Sequence, residues 1–270
     1  MKPITVIVPL HVYMEDLLKE ALSSLITAFK EDTVIVTFVG PKGICENAQN
    51  LFKTLTTKEY SINIVENDNL DFATQINKAV FDCSTQYFTI LEFDDTFRPY
   101  YNTVMQEFIE KNQVTSVILP ITELYDEKDE FVGFCNEIVW DAAFANINEE
   151  TEEDNLGVID SEILEAFMDF HCTGGLFKTE DFITVGGLKT SMKVAMWYEF
   201  LLRIANVGKG IYVVPKVCYS HLIGRNNSFN DIMHKTITPE EGRFLINYAK
   251  EDYINTEDSN KKYEEEKQQE

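Results

Sequence analysis

Short, nearly continuous apolar runs alternate with amphipathic stretches from the start of the chain to Pro120. A strand inside a parallel sheet is buried on both faces, so each apolar run predicts such a strand. Between the runs, apolar residues recur every three or four positions, which predicts helices with one buried face. The alternation predicts an α/β fold, in which a mostly parallel sheet carries helices on both faces. The predicted strands are residues 4–9, 33–39, 61–66, 87–92 and 116–120.

After Pro120 the pattern is less regular. The stretch FVGFCNEIVW (131–140) is compatible with a strand or with one arm of a hairpin, and NEETEEDNLG (148–157) has the composition of an acidic loop. We divide the chain into an α/β half, an acidic insertion, a second half with a C-terminal closing segment, and a charged tail that is predicted to be disordered. These segments are residues 1–122, 123–165, 166–250 and 251–270.

The second half contains two further predicted strand and helix pairs. TGGLFKTEDFITVGGL (173–188) predicts a short strand and then a helix, with the hydroxyl of Thr179 as its N-cap. MWYEFLLRIANVG (196–208) predicts a helix, because its apolar positions follow helical spacing and a glycine ends it. GIYVVP (210–215) predicts the strand that follows.

Composition and charge exclude several classes of function. The 270 residues carry a formal net charge of -23, which argues against a nucleic-acid partner, because phosphates attract basic proteins. No apolar stretch approaches the roughly 20 residues that span a bilayer, so we expect no transmembrane segment. The 5 cysteines form no C-x-x-C pair, which is typical of a reducing compartment. We therefore expect a cytoplasmic protein.

Three carboxylates directly follow the fourth apolar run, in YFTILEFDDTFRPYY. Glu92, Asp94 and Asp95 repel one another when ionised, and a cation would relieve that repulsion. Ligands of open α/β sheets bind at the carboxyl ends of strands, where these residues would lie. Their oxygen atoms suit Mg²⁺ or Mn²⁺, so the sequence predicts a metal site. The alternative is a turn in which one aspartate caps the next helix.

The order of these features resembles the GT-A glycosyltransferases of family 2. The likeness extends from about Ile4 to Ser228, and its motifs are a first strand ending in proline, LEFDDTFRP, GGLFKTEDFITVGGL, YEFLLRIANVGKG and YSHLIGRNNS. The resemblance implies a Rossmann-like GT-A sheet and a metal-dependent, inverting transfer of sugar. The donor would be a nucleotide-diphosphate sugar, and the acceptor, whether glycan, lipid or protein, is not identified. Residues 1–122 would bind the nucleotide, and residues 166–250 would face the acceptor.

The resemblance also implies roles for two residues near the end of the last predicted strand. The family often carries a histidine or another basic group on a C-terminal loop that closes over the donor diphosphate. His221 and Arg225 in SHLIGRNNS occupy the start of such a loop. His221 is therefore expected to help Glu92, Asp94 and Asp95 hold the metal, since imidazole is a metal ligand. Arg225 is expected to bind phosphate oxygens.

Two family features are missing from this sequence. The second strand of the family is typically followed by an acidic pair, one member of which contacts the nucleotide base, but VTFVGPKG stands there. Asp68, in VENDNL after the third strand, is the replacement that we predict, with an ordinary turn residue as the alternative. The family's general-base pair falls on Met196 and Trp197, so we predict that Glu199, two residues later, is the base.

Other interpretations remain open at this point. Glu180 and Asp181 are further carboxylates that could act as the base, although acidic residues are common in a first helical turn. A catalytically inactive relative that acts as a binding or assembly component would explain both missing features and the acidic insertion. A nucleotidyltransferase is less well supported, because PLHVYMED before the first helix contains no glycine-rich phosphate loop.

Overall fold

The five apolar runs form strands of one ten-stranded sheet in a computed structural model, which describes residues 2–111, 115–146, 156–168 and 170–250. The mostly parallel fold predicted from the sequence is confirmed. The strands are β1 (Ile4–Pro9), β2 (Val34–Gly40), β3 (Ser61–Glu66), β4 (Tyr87–Ile90), β5 (Thr96–Phe97), β6 (Thr115–Tyr125), β7 (Phe131–Phe134), β8 (Gly157–Val158), β9 (Leu176–Lys178) and β10 (Gly210–Leu222).

Helices occupy the connections between these strands. They are α1 (Glu15–Ala28), α2 (Lys42–Leu55), α3 (Phe72–Phe81), α4 (Tyr101–Lys111), α5 (Glu137–Ala145), α6 (Ser161–Ala166), α7 (Thr179–Thr184), α8 (Met196–Asn206) and α9 (Phe229–Thr236). Residues 239–250 are also helical. None of the described helices is both long and apolar enough to cross a membrane.

The sheet has a separate hydrophobic core on each face, as the strand pattern predicts. In β1, Val6 and Val8 pack with α1, α2 and α4, while Ile7 packs with α3, α7 and α8 on the other face. Successive strand residues point to opposite faces, so a strand that is covered on both sides must be apolar at every position. This requirement explains the continuous apolar run at the start of the chain.

The strand order is β3-β2-β1-β4-β9-β6-β10-β5. β1, β2, β3 and β4 run parallel, as do β6 and β10. β9 lies antiparallel between β4 and β6, and thereby joins the two parallel groups into one sheet. β5 pairs antiparallel with the end of β10, which brings the residues around position 95 next to those around position 221.

Several local predictions are refined by the structure. In the ambiguous stretch, residues 131–134 form a hairpin arm paired with β6, and residues 137–145 form α5. The predicted N-cap is wrong, because the residue before α7 is Lys178 and the hydroxyl of Thr179 donates to the carbonyl of Thr85 (2.8 Å). Most of the acidic loop and all of the tail from residue 251 lie outside the described residues. The division into four segments stays a prediction; β6 spans its first boundary.

Candidate active site

The carboxylate cluster lies at the carboxyl end of β4. β5 follows it and pairs antiparallel with β10, with Phe97 opposite Tyr219. Because this register continues by one residue on each side, Asp95 lies beside His221. The Nδ1 atom of His221 is 3.0 Å from both side-chain oxygens of Asp95, and the backbone N–H of Leu222 donates to Asp95 Oδ1 (3.0 Å). Two strands that are distant in sequence therefore hold this pair.

Glu92 and Asp94 have different environments within the same cluster. Glu92 Oε1 accepts a hydrogen bond from the hydroxyl of Thr173 (2.9 Å), and the Glu92 N–H donates to the hydroxyl oxygen of Tyr219 (3.2 Å). Asp94 is 6% exposed, and neither of its side-chain oxygens has a hydrogen-bond partner among the described residues. A buried carboxylate without a partner is unfavourable, so Asp94 is a candidate for binding a ligand from solution.

A glycine turn before β9 brings further groups to the cluster. Gly174 has φ 80°, and a Cβ atom there would lie 2.4 Å from the ring of Tyr219. Residues with a side chain rarely adopt this backbone conformation, and the close approach leaves room for glycine alone. The Gly174 N–H also donates to the carbonyl of Ile90 at the end of β4 (3.2 Å). The turn thus fixes Thr173 beside Glu92.

His171, which the sequence analysis did not select, is also part of this site. Its ring centre is 4.2 Å from that of His221. One potential ligand atom from each of Asp95, His171 and His221 lies within 4.8 Å of the other two. The sequence signal was weak, because a single histidine two residues before Thr173 has no spacing that distinguishes it from a structural residue.

Burial disfavours the charged forms of these five groups, and the neighbouring charges then separate their pKa values. Burial, followed by the charge of Asp95, raises the pKa of Glu92 to about 7 and that of Asp94 to about 8. Burial also acts on Asp95, but the charge and hydrogen bond of His221 lower its pKa. Burial lowers the pKa of His221, but the charge and hydrogen bond of Asp95 raise it to about 9. Burial and the charge of His221 lower the pKa of His171 to about 3.

These groups fit a divalent cation. Hard oxygen atoms and imidazole nitrogen atoms are both suitable ligands, and Asp94 offers two oxygens that have no described protein partner. The capped-turn alternative does not account for the cluster, because α4 begins only at Tyr101. The predicted grouping of Glu92, Asp94, Asp95 and His221 at one edge of the sheet is therefore explained if these groups are ligands of such a cation.

Aromatic rings extend from the cluster along the same edge of the sheet. Phe93 contacts His11 at the end of β1 (5.4 Å between ring centres), and His11 packs on Phe229 of α9 (3.9 Å). Phe229 contacts Phe72 at the start of α3 (4.9 Å), and Phe72 contacts Trp197 at the start of α8 (6.3 Å). We call these five residues the aromatic row. It lines the edge at which the parallel strands end.

Residues 5–156, more than half of the chain, match the family model described as "Glycosyl transferase family 2". The chain belongs to glycosyl transferase family 2. Among solved structures, it is similar to S. aureus TarS 1-349 in complex with UDP-GlcNAc, with a TM-score of 0.65 and 14% identity over 93% of this chain and 67% of that one. For the same TarS segment in complex with UDP, the TM-score is 0.60 at 15% identity, over 93% and 66% of the two chains.

The likeness to TarS concerns the fold. The chain matches a longer S. aureus TarS with a TM-score of 0.56 and 15% identity, and it spans 82% of its own length but only 37% of that protein. No curated protein sequence matches the chain. The family resemblance and the GT-A fold predicted from the sequence are confirmed.

Gly40 lies at the end of β2, where the acidic pair of the family is expected, and its surroundings exclude a side chain. Gly40 has φ 154°, and a Cβ atom there would lie 2.1 Å from the carbonyl oxygen of Leu10. No side chain fits at this position. Asp68 is exposed in the loop after β3, and its contact with a nucleotide base stays a prediction. Gln75 lies at the same edge, where its amide donates to the Leu10 carbonyl (3.1 Å) and its buried Oε1 has no partner among the described residues.

Glu199, the predicted base, has strong partners away from the cluster. It is 1% exposed, and Arg203 donates to both of its oxygens (2.8 and 2.7 Å) while Lys189 lies 2.9 Å from one of them. Arg203 also donates to the backbone carbonyls of Val185 and Gly187. An acceptor hydroxyl would have to displace one of these cations in order to reach the carboxylate. Glu199 as the base therefore stays a prediction, and its contacts are those of a structural ion pair.

The other two carboxylates considered as the base lie at the opposite edge of the sheet. Asp181 in α7 accepts a hydrogen bond from Ser116 at the start of β6 (2.6 Å) and is paired with Lys209, which precedes β10 (3.0 Å). These contacts place Asp181 near the amino ends of β6 and β10, whereas the cluster follows the carboxyl end of β4. Glu180 is exposed on the same short helix. Neither carboxylate is brought to the site.

Arg225, predicted to bind phosphate, faces a cavity of about 530 Å³ beside the start of α1. Its Nε atom is buried and has no hydrogen-bond partner among the described residues. Its role toward a diphosphate stays a prediction, because three carboxylates share the cavity with it. The lining residues are Met14, Glu15, Asp16, Leu17, Glu127, Arg225 and Asn226.

Proposed function

We propose that this family 2 protein is a metal-dependent glycosyltransferase, which moves a sugar from a nucleoside-diphosphate sugar to an acceptor hydroxyl with inversion. The observation that carries the proposal is the buried cluster of Glu92, Asp94 and Asp95 at the carboxyl edge of the sheet. Family membership supports the reaction class. The UDP-GlcNAc and UDP complexes of S. aureus TarS, which has the same fold, support a nucleotide-sugar donor. A cytoplasmic location is part of the proposal, and the 5 cysteines are free thiols.

Asp94, Asp95 and His221 would hold the cation, with Glu92 beside them; Mn²⁺ and Mg²⁺ are the ions that we propose. When bound, the cation neutralises negative charge on the departing diphosphate. The chain's own contacts keep the ligands in place, because Thr173 binds Glu92 and the Leu222 N–H binds Asp95. A cation that binds both Asp95 and His221 would displace the proton that pairs them, so its binding would release a proton.

The aromatic row and Asp68 would form the nucleotide side of the site. The rings of the aromatic row are buried and packed on one another, so they would support this side of the site and exclude water from the diphosphate, and would not stack on the base. Asp68 lies after β3, and Phe72 of the row begins the next helix, so both reach the same edge of the sheet. Arg225 would approach the phosphates from the segment after β10.

A catalytically inactive relative is the second candidate function. Met196 and Trp197 occupy the start of α8, where the family's general-base pair falls, and Trp197 is buried against Phe177 (5.1 Å between ring centres). Glu199 is held by Arg203 and Lys189. A protein with an intact cation site and no base would bind a donor without transferring its sugar.

Donor binding and sugar transfer are therefore measured separately. Thermal-shift and calorimetric titrations with nucleoside diphosphates, with and without Mn²⁺, test binding, because a ligand that binds the native state raises its stability. Release of nucleoside diphosphate from a panel of nucleotide sugars and acceptors tests transfer. Metal-dependent binding with transfer supports the enzyme, and binding without transfer or hydrolysis supports the inactive relative. Absence of metal-dependent nucleotide binding contradicts both.

Substitution of Glu199 tests the base. If Glu199 is the base, Glu199→Gln keeps donor binding and lowers the rate of transfer about 100- to 10,000-fold. If Glu199 is a structural partner of Arg203, the same substitution lowers the melting temperature and leaves the rate per folded molecule unchanged. Glu180→Gln is the matched control, since Glu180 is an exposed carboxylate on α7. It changes neither quantity.

A further inference from the structure

His171 is placed to contact a cation, although it lies outside the acidic motif. Its potential ligand atom lies within 4.8 Å of those of Asp95 and His221. The Nε2 atom of His171 is buried and has no hydrogen-bond partner among the described residues. A buried polar atom without a partner is unfavourable unless something else compensates for it. A cation bound between His171 and the Asp95–His221 pair would provide that compensation.

Asn136 fixes the position of His171. The Asn136 side-chain amide donates to the His171 carbonyl (3.1 Å), and the His171 N–H donates to Asn136 Oδ1 (3.3 Å). Both bonds use the backbone of His171, so they orient the residue without engaging its ring. Asn136 itself has φ 54°, a left-handed conformation that asparagine tolerates better than most residues, and it precedes α5.

We propose that His171, positioned by Asn136, is a third protein ligand with Asp95 and His221, and that this set selects a transition-metal ion over Mg²⁺. The inference rests on the cation site of the proposed function and specifies its ligands and its ion. Mg²⁺ prefers oxygen ligands and retains much of its water, whereas imidazole favours the later first-row ions. For one site, affinity rises from Mn²⁺ to Co²⁺ along the first row, so a second imidazole increases the preference for Co²⁺ over Mg²⁺.

Metal binding to the full chain, freed of metal with a chelator, tests this set without any donor. Mg²⁺, Mn²⁺ and Co²⁺ are titrated by calorimetry, and Co²⁺ also by its visible absorption, which reports on nitrogen ligands. The wild type binds Co²⁺ most tightly and Mg²⁺ most weakly. His171→Ala lowers Co²⁺ affinity about 100-fold and Mg²⁺ affinity much less, so the ratio of the two affinities falls. An unchanged ratio in this variant overturns the inference, as does a wild type that binds none of the three ions.

Asn136→Ala tests the positioning role and keeps the inference falsifiable if His171→Ala fails to fold. Loss of a residue that orients a metal ligand typically lowers metal affinity about 10- to 100-fold. Asn146→Ala is the matched control, because Asn146 lies at the other end of α5 and donates to Asp160 (2.6 Å), not to His171. Asn136→Ala lowers Co²⁺ affinity and the Co²⁺ to Mg²⁺ ratio, and Asn146→Ala changes neither. Equal effects of the two substitutions contradict the positioning role.

The outcomes also separate this inference from the proposed function. Selective Co²⁺ binding that depends on His171, in a protein that binds no nucleotide with any of the three ions, upholds the metal set and contradicts the glycosyltransferase proposal. Metal-dependent donor binding that His171→Ala leaves unchanged, with an unchanged Co²⁺ to Mg²⁺ ratio, upholds the proposed function and removes His171 from the metal set. Both results come from the same protein preparations.

Discussion

Two adjacent aspartates in the cluster are expected to have opposite effects on stability when each is replaced by asparagine. In the absence of metal, Asp94→Asn stabilises the protein and Asp95→Asn destabilises it. Both residues are nearly inaccessible to solvent, at 6% and 1% exposure. They differ in their partners, because Asp95 is paired with His221 and Asp94 has no described partner. The comparison therefore isolates the effect of pairing.

The magnitude for Asp94 follows from its pKa, which burial and the charges of Asp95 and Glu92 raise from 3.8 to about 8. A carboxyl group that is kept protonated at pH 7 in the folded state, but ionises when unfolded, destabilises the fold by about 4 kcal/mol, at about 1.4 kcal/mol per pKa unit. Asparagine removes this contribution but leaves a buried amide, which costs about 1–3 kcal/mol without partners. The expected net gain at pH 7 is about 1–3 kcal/mol.

The pH dependence of the stability difference between Asp94→Asn and the wild type is an independent test of its sign. The folded-state pKa is raised, so the carboxyl group has no destabilising effect below the unfolded value near 3.8. The effect grows as the pH rises and levels off above about 8. The advantage of Asp94→Asn over the wild type should therefore be absent near pH 4 and largest near pH 8. Asp95→Asn breaks a buried pair and destabilises by about 3–5 kcal/mol at pH 7.

Thermal denaturation in a chelator, followed by circular dichroism at several pH values, measures both effects. For a chain of this size, 1 kcal/mol corresponds to roughly 2–4 °C in melting temperature. Added Mn²⁺ at about 100 times its dissociation constant should stabilise the wild type by about 2.7 kcal/mol and both variants less. If Asp94→Asn melts below the wild type at pH 7 in chelator, or keeps the full response to Mn²⁺, the assignment of Asp94 as an unpaired metal ligand is wrong.

Three further substitutions test the supporting structure, each by its free energy of unfolding in denaturant. Gly40→Ala should destabilise by about 3 kcal/mol, because its Cβ would overlap the Leu10 carbonyl oxygen; a loss below 1 kcal/mol would contradict the close approach. Arg203→Met should cost about 3–5 kcal/mol, since it leaves Glu199 without its main partner; a neutral effect would refute the buried pair. Tyr219→Phe should cost about 1–2 kcal/mol by removing a hydrogen-bond acceptor in the cluster, and an unchanged value would argue against that bond.

The parallel part of the sheet could be predicted because its signal is local. A strand that is buried on both faces has to be largely apolar, and β1, β2 and β4 satisfy this condition within runs of four to seven residues. β3 is an edge strand whose exposed positions alternate with more buried ones, so its prediction as a strand buried on both faces is wrong. The position of β9 had no such signal. Its three residues predict a strand, but its antiparallel place between β4 and β6 depends on contacts between residues far apart in the chain. Sequence pattern alone does not encode those pairings.

The candidate site also contains residues that a local sequence pattern selects and residues whose position depends on strand pairing. Glu92, Asp94 and Asp95 could be selected because like charges at a predicted strand end call for an explanation. The Asp95–His221 pair depends on the register between β10 and the two-residue strand β5, which no local pattern predicts. His171 reaches the cluster through the Gly174 turn, which packs against the ring of Tyr219, 45 positions later in the chain. Such residues can be assigned to the site only when the pairing of the strands is known.

The family features that the chain retains and those that it lacks lie in different elements of the fold. The elements that would hold the proposed cation are β4, β5, β10 and the turn before β9, and hydrogen bonds join them to one another. The start of α8 instead packs Trp197 into the core and ties Glu199 to Arg203. Binding and transfer therefore depend on different elements, and a chain can keep the first without the second. The formal net charge of -23 also links donor binding to a cation, because a protein with this charge repels an anionic donor unless a cation accompanies it. The proposed cation site would thus be needed for donor binding alone, and a cation bound there would not by itself establish transfer.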